Sequence, residues 1–72
     1  MIARMKGDTL ANRLKEARTE AGLTQAELAD LVGVSRKTIN TVENGVFVPS
    51  TLLALKLAAV LGTRVEKLFW VE

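Results

Sequence analysis

Four polar side chains that can donate hydrogen bonds recur at helical spacing near the middle of the chain. They are Arg36, Lys37, Asn40 and Thr41. At about 100° per residue these positions share one face of a helix, and Ile39 and Val42 occupy the opposite face. Arg and Lys can donate to guanine O6 and N7, and Asn can pair with adenine N6 and N7. The spacing therefore predicts a helix that packs through an apolar side and presents donors suited to base edges.

Two short helices joined by a tight turn must position this polar face. A capping-box pattern at Thr24 and Glu27 predicts the start of the first helix, and Ser35 predicts the start of the second. Gly33 lies between them and can adopt a positive φ without steric strain. Ala29 is small at the expected crossing point, so the two backbones can approach closely. This pattern is typical of a helix-turn-helix unit.

The remaining apolar residues predict three further helices and no strand. The first helix of the chain is expected over residues 10–21, with Asp8 or Thr9 as its cap. A fourth helix is expected over residues 51–61, and a short fifth begins after a cap at Thr63. We therefore expect an all-α fold of five helices.

The length and composition of the chain fit one small domain. Residues 1–8 show no apolar period and are predicted to be a flexible N-terminal tail, which leaves residues 9–72 for the domain. The 72-residue chain has no Cys, which excludes disulfides and thiolate zinc sites. It also has no His, the commonest metal ligand and general base. We therefore expect no metal, no cofactor and no enzymatic activity.

The net charge does not identify a binding partner, whereas the hydropathy of the chain indicates where the protein is located. The net charge is only +2, so the placement of charges has to indicate what the chain binds. No apolar run approaches the roughly 18 residues needed to span a membrane. The first residues also lack the apolar segment of a signal peptide. We expect a cytoplasmic protein that does not enter a membrane.

Four segments of the sequence together resemble a known family. They are residues 22–29 (GLTQAELA), residues 32–39 (VGVSRKTI), residues 43–45 (ENG) and residues 49–50 (PS). The combination closely resembles the Xre family, which includes the lambdoid phage repressors and Cro proteins, over about residues 10–69. The resemblance implies a lambda-repressor-like domain that binds double-stranded DNA sequence-specifically and acts as a transcriptional repressor.

The resemblance also implies which residues read the DNA. The helix that starts at Ser35 would be the recognition helix, lying in the major groove. Its base-reading residues would be Arg36, Lys37 and Thr41, with Asn40 as their neighbour. The chain departs from the phage pattern at residues 46–49, where the phage repressors carry basic residues and this loop carries none.

Other residues gain roles from the same resemblance. Gln25, Ser35 and Asn44 would contact the DNA backbone, which fixes the position of the protein without reading sequence. Arg18 and Glu43 would form a partly buried ion pair between the first and third helices.

The fourth helix suggests self-association. It contains one charge, Lys56, and apolar residues on more than one face, and such a helix is either buried or part of an interface. One recognition helix reads only a few base pairs, whereas two copies related by a two-fold axis read a palindrome. We therefore expect a homodimer on a palindromic operator. The expected interface residues are Leu53, Val60, Phe69, Trp70 and Val71.

Two other binding roles remain open at this point. Many domains of this family are antitoxins, which bind a toxin as well as their own promoter, and a neighbouring toxin gene would favour that role. A coactivator that uses this fold mainly to bind proteins is the other alternative. Loss of DNA binding on replacing Arg36 or Lys37 with Ala would argue against the coactivator.

Overall fold

The computed structural model describes residues 2–72 and contains, within that range, five helices and one small sheet. In chain order the elements are β1 (Leu10–Asn12), α1 (Leu14–Glu20), α2 (Gln25–Val32), α3 (Arg36–Glu43), α4 (Thr51–Val60), α5 (Val65–Leu68) and β2 (Phe69–Val71). The expected five helices are confirmed, but the two-stranded sheet was not expected, so the fold is not strictly all-α. Met1 of the predicted N-terminal tail lies outside the described residues.

The sheet joins the two ends of the domain. β1 and β2 run antiparallel, and Ala11 is the register partner of Trp70. Beyond the strands, Thr9 and Glu72 exchange two backbone hydrogen bonds, with N···O distances of 3.2 and 2.8 Å. This pairing replaces the expected first turn of the first helix, which therefore begins at Leu14 instead of residue 10.

The helix ends follow local sequence signals, with two exceptions. The capping box at Thr24 and Glu27 is present, and Ser35 and Ser50 accept backbone N–H groups at the starts of α3 and α4. Neither Asp8 nor Thr9 caps α1: Asn12 Oδ1 accepts the N–H of Leu14 instead, at 3.0 Å. The second exception is α5, whose N-cap is Arg64 and not Thr63.

The core lies where the helices and the sheet converge. Its fully buried side chains come from α1, α2, α3, α4 and α5; the largest are Leu14, Leu28, Ile39, Val42, Leu57 and Leu68. All these side chains are aliphatic, so the core depends on close packing of branched side chains. Among residues 2–72, every buried polar side-chain atom has a hydrogen-bond partner.

Two residues expected at a dimer surface belong to this core. Leu53 is 7% exposed and Phe69 is 6% exposed. The inner stripe of α4 includes Leu53, which leaves Leu52 and Leu55 on the outer side of the helix. Phe69 lies in β2, where successive side chains alternate between faces, so Phe69 points inward and Trp70 outward. The expectation that these two side chains lie on the exposed surface is therefore wrong, and their part in a dimer interface stays a prediction.

The longest helix in the described part of the chain, α4, has ten residues. A membrane-spanning helix needs about 20, and none of the helices in residues 2–72 could cross a bilayer.

Candidate nucleic-acid interface

A tight turn sets the angle between α2 and α3. Gly33 ends α2 with φ of 76°, a left-handed conformation that favours glycine. The N–H of Val34 then donates to the carbonyl oxygen of Ala29 at 3.0 Å, which closes the turn. Behind it, the buried side chains of Leu28 and Ile39 hold the two helices together. The turn and the apolar contacts therefore fix the direction in which α3 faces solvent.

The two sides of α3 differ sharply in exposure. Ile39 and Val42 are 0% and 1% exposed, whereas Arg36, Lys37 and Asn40 are exposed. No acidic residue lies in the first turn of α3, so the two cations stand at its start without a carboxylate on the same turn. The predicted polar face is thus brought together on one solvent-facing side.

Thr41 is less available than the other members of this face. It is half-buried, and its Oγ1 donates to the carbonyl oxygen of Thr38 at 3.0 Å. The hydroxyl proton is therefore engaged within the helix, and the oxygen remains as an acceptor.

The residues with an expected role at the DNA backbone lie at helix ends. Ser35 caps α3, and its Oγ accepts the N–H of Thr38 at 3.1 Å. Asn44 follows the C-terminal end of α3, where its Nδ2 donates to the carbonyl oxygen of Asn40 at 2.9 Å. Gln25 is the first residue of α2. The structure therefore distributes these three side chains around the α2–α3 unit.

Arg18 and Glu43 meet behind this unit. Arg18 Nε lies 2.6 Å from Glu43 Oε2, and Arg18 Nη2 lies 3.3 Å from Glu43 Oε1. Their side chains are only 10% and 3% exposed. A third guanidinium nitrogen, Nη1, donates to the carbonyl oxygen of Leu23 at 2.8 Å. This two-point contact joins α1 to the end of α3, as the resemblance implied.

Gln25 makes a contact with this pair that the sequence did not predict. Its Nε2 donates to Glu43 Oε1 at 3.0 Å. The two residues are 18 positions apart, and no helical or turn spacing relates them. Only the packed arrangement of α2 against α3 reveals the contact.

The loop after α3 is apolar and exposed, in line with its sequence. Val46, Phe47 and Val48 are 79%, 48% and 67% exposed. The N–H groups of Val46 and Phe47 both donate to the carbonyl oxygen of Thr41, at 2.9 and 3.2 Å. These backbone donors therefore stabilise the turn and are engaged within the chain.

The start of α2 carries an ionised carboxylate. Hydrogen bonds donated by the backbone N–H and the side chain of Thr24 hold the pKa of Glu27 below its ordinary value of 4.5. Among residues 2–72, no cluster of three or more carboxylates is placed to hold a metal ion.

Comparison with known sequences identifies the family. Residues 14–68 match the sequence profile of the helix-turn-helix family, which is most of the chain. The chain belongs to the Xre-type helix-turn-helix family of DNA-binding transcriptional regulators. An uncharacterized regulator of this type, YgzD of Bacillus subtilis, is 41% identical over 63 residues, which is 88% of this chain and 96% of YgzD.

Solved structures of Xre-type regulators share the fold. The restriction-modification controller protein C.AhdI of Aeromonas hydrophila is 39% identical in sequence, and its structure matches with a TM-score of 0.71. The match covers 75% of this chain and 82% of the C.AhdI chain. The biofilm regulator SinR, solved in complex with DNA, is 33% identical and matches with a TM-score of 0.70. That match covers 75% of this chain and 87% of the SinR chain.

Proposed function

We propose that this protein is a transcriptional repressor that reads double-stranded DNA in the major groove with α3. The observation that carries the proposal is the division of α3 into two sides. Arg36, Lys37 and Asn40 are exposed, while the buried Ile39 and Val42 anchor the helix from behind. A rigid helix with free donors on its outer side matches the donor and acceptor pattern of base edges.

The size of α3 supports this mode of binding. Its eight residues span about 12 Å at about 1.5 Å per residue, and its polar residues fall within two turns. The major groove of B-DNA admits an α-helix, so base edges of a few pairs are within reach. Arg36 and Lys37 lie in the first turn, which is the end that helix-turn-helix proteins direct at the bases.

Backbone contacts complete the proposed interface. Gln25 begins α2, and Ser35 and Asn44 flank α3, so contacts at these sites would hold the DNA on either side of the reading helix. In the first turn of α2 the N–H groups of Gln25 and Ala26 are not used by the capping box and can donate to a phosphate, while the Glu27 carboxylate is held on the N–H of Thr24. Repression is the regulatory mode that requires only occupation of the DNA by such a domain.

We further propose that two copies bind a palindromic operator as a homodimer. Of the residues that the sequence assigns to the interface, Val60, Trp70 and Val71 are 39%, 40% and 47% exposed. Two recognition helices about 34 Å apart would enter successive major grooves and together specify enough base pairs to mark a site.

The best surface for the second copy is an apolar groove between α4 and the sheet. It has a volume of about 240 Å³, and its lining residues are Leu10, Pro49, Thr51, Ala54, Leu55, Val65 and Phe69. None of these residues belongs to α2 or α3, so pairing here leaves the polar face of α3 uncovered. Val71 is the register partner of Leu10, so it stands next to a lining residue of the groove, on the same face of the sheet.

Selection of bound sequences from a random DNA pool, followed by footprinting, tests the proposal. A repressor of this kind should enrich a short palindrome and protect two half-sites about one helical turn apart. A reporter gene placed behind the enriched site should lose expression when the protein is present. Recovery of no common sequence, with equal binding to all duplexes, would contradict major-groove reading.

A further inference from the structure

Glu43 contacts Arg18 of α1 and Gln25 at the start of α2 at the same time. It is the last residue of α3, its side chain is 3% exposed, and its Oε1 accepts a hydrogen bond from Gln25 Nε2 at 3.0 Å. A buried carboxylate thus fixes a half-buried amide that stands where a phosphate contact is proposed.

The charge of Glu43 determines which end of the amide turns inward. If the Gln25 amide were rotated by 180°, its Oε1 would meet Glu43 Oε1, and two acceptors would repel each other. The carboxylate therefore keeps Nε2 in place. That nitrogen carries a second N–H that Glu43 does not use. This N–H can donate a hydrogen bond to a phosphate oxygen.

Arg18 makes this arrangement compatible with DNA. A carboxylate near a phosphate would repel it, but the guanidinium of Arg18 binds Glu43 at 2.6 and 3.3 Å and cancels its charge. The same guanidinium is anchored to the carbonyl oxygen of Leu23, so the pair is held from the side of α1.

We propose that Glu43 is a positioning residue for DNA binding, which orients Gln25 for its phosphate contact while Arg18 neutralises it. The inference rests on the proposed function, because it assigns Gln25 to the DNA backbone. Helix α1, which carries Arg18, thus contributes to DNA affinity without contacting DNA. Holding Gln25 in one rotamer before binding lowers the entropic cost of the contact.

A double-mutant cycle tests this role. Gln25→Ala is measured in the parent protein and in two neutral backgrounds, Arg18→Met/Glu43→Met and Arg18→Met/Glu43→Gln. The first background removes the acceptor for Gln25, and the second retains it without charge. Removing both charges avoids stranding a buried ion. All proteins are compared at a temperature where circular dichroism shows them folded.

The expected results differ between the backgrounds. Gln25→Ala should weaken operator binding about tenfold in the parent, since a hydrogen bond to a charged group is lost. It should weaken binding less than about threefold in the Met background, and by an intermediate factor in the Gln background. Equal losses in all three backgrounds would overturn the positioning role while leaving the proposed function intact.

A second measurement needs neither a variant nor DNA. Gln25 is the only Gln in the chain, so its side-chain amide can be assigned directly by NMR. In the free protein it should be ordered, with a heteronuclear NOE well above that of the exposed Asn40 amide. A Gln25 amide as mobile as that of Asn40 would overturn the inference. A parent protein that binds no duplex would overturn the proposed function as well.

Discussion

Asn12 in β1 donates from Nδ2 to the carbonyl oxygen of Val42 at 3.1 Å, in the last turn of the proposed recognition helix. The Oδ1 of the same side chain accepts the N–H of Leu14 at 3.0 Å. One amide therefore connects the sheet, the start of α1 and the end of α3. The sheet is thus part of the support of the proposed recognition helix.

Replacing this amide should destabilise the domain. Asn12→Ala removes both hydrogen bonds and should lower the free energy of unfolding by about 1–3 kcal/mol. Urea denaturation followed by circular dichroism measures the change. The matched control is Asn40→Ala, an exposed Asn on α3, which should change stability by less than about 0.5 kcal/mol. Similar losses for both variants would contradict the role given to Asn12.

Arg36 should carry sequence specificity. Arg36→Ala should cost about 1–3 kcal/mol of operator binding and relax the preference at one base pair, since base contacts discriminate and phosphate contacts do not. Fluorescence anisotropy with operator and scrambled duplexes measures both effects. Arg64→Ala removes the same charge outside α2 and α3 and should change the two affinities little. An equal loss on both duplexes for Arg36→Ala would rule out base reading.

Removing one partner of the Arg18–Glu43 pair should destabilise the protein more than removing both partners. Arg18→Met leaves the buried Glu43 carboxylate unpaired and should lower the free energy of unfolding by roughly 3–5 kcal/mol. Arg18→Met/Glu43→Met should recover much of this loss, because no charge is stranded. Thermal denaturation of the two variants compares them. A double variant no more stable than the single one would show that the pair contributes a net attraction.

The groove between α4 and the sheet should mediate self-association. Leu55→Lys, at a half-exposed position that lines this groove, should shift the protein toward the monomer without unfolding it. Leu52→Lys is the control, since Leu52 is 63% exposed on the same helix but lines a different groove. Sedimentation at micromolar concentration, with and without a palindromic duplex, measures the effect. A parent monomer in both conditions, bound one per duplex, would exclude the dimer.

Glu27 should make the free energy of unfolding depend on pH. Its pKa is lower in the folded protein than the ordinary value of 4.5, because Thr24 donates hydrogen bonds to the ionised form. The carboxylate therefore contributes its full stabilisation above about pH 4.5 and loses it as the pH falls through the lower folded-state pKa. Urea midpoints from neutral to acidic pH should fall less steeply for Glu27→Gln than for the parent. Parallel profiles would contradict the assignment.

Local signals in the sequence predicted the helix-turn-helix unit. The capping box at Thr24, the cap at Ser35 and the left-handed Gly33 act within a few residues, so each can be recognised without knowing the fold. The inward positions Ile39 and Val42 followed from helical spacing alone. These local features placed Arg36, Lys37 and Asn40 on the exposed side of α3, whereas Thr41 is half-buried.

Features that depend on distant residues were missed. β1 and β2 have three residues each, too short for an alternating pattern, and they pair across almost the whole chain. Leu10 and Leu14 also fit helical spacing, which concealed the strand. In α4, apolar residues on several faces left the inner stripe undefined, so Leu53 was assigned to the surface. The Gln25–Glu43 contact likewise arises only from packing.

The sheet also brings the two ends of the domain side by side. Gly7 lies against the backbone of Glu72, and the Thr9–Glu72 hydrogen bonds close a loop that contains every helix of the described residues. Closing so long a loop costs entropy, which a covalent link would remove from the folding reaction. A circular permutant that joins these ends and opens between Phe47 and Val48, which keeps both hydrogen bonds to Thr41, should therefore retain the fold. In that permuted chain α4 and α5 would come first, and the recognition helix would be the last element before the new C-terminus.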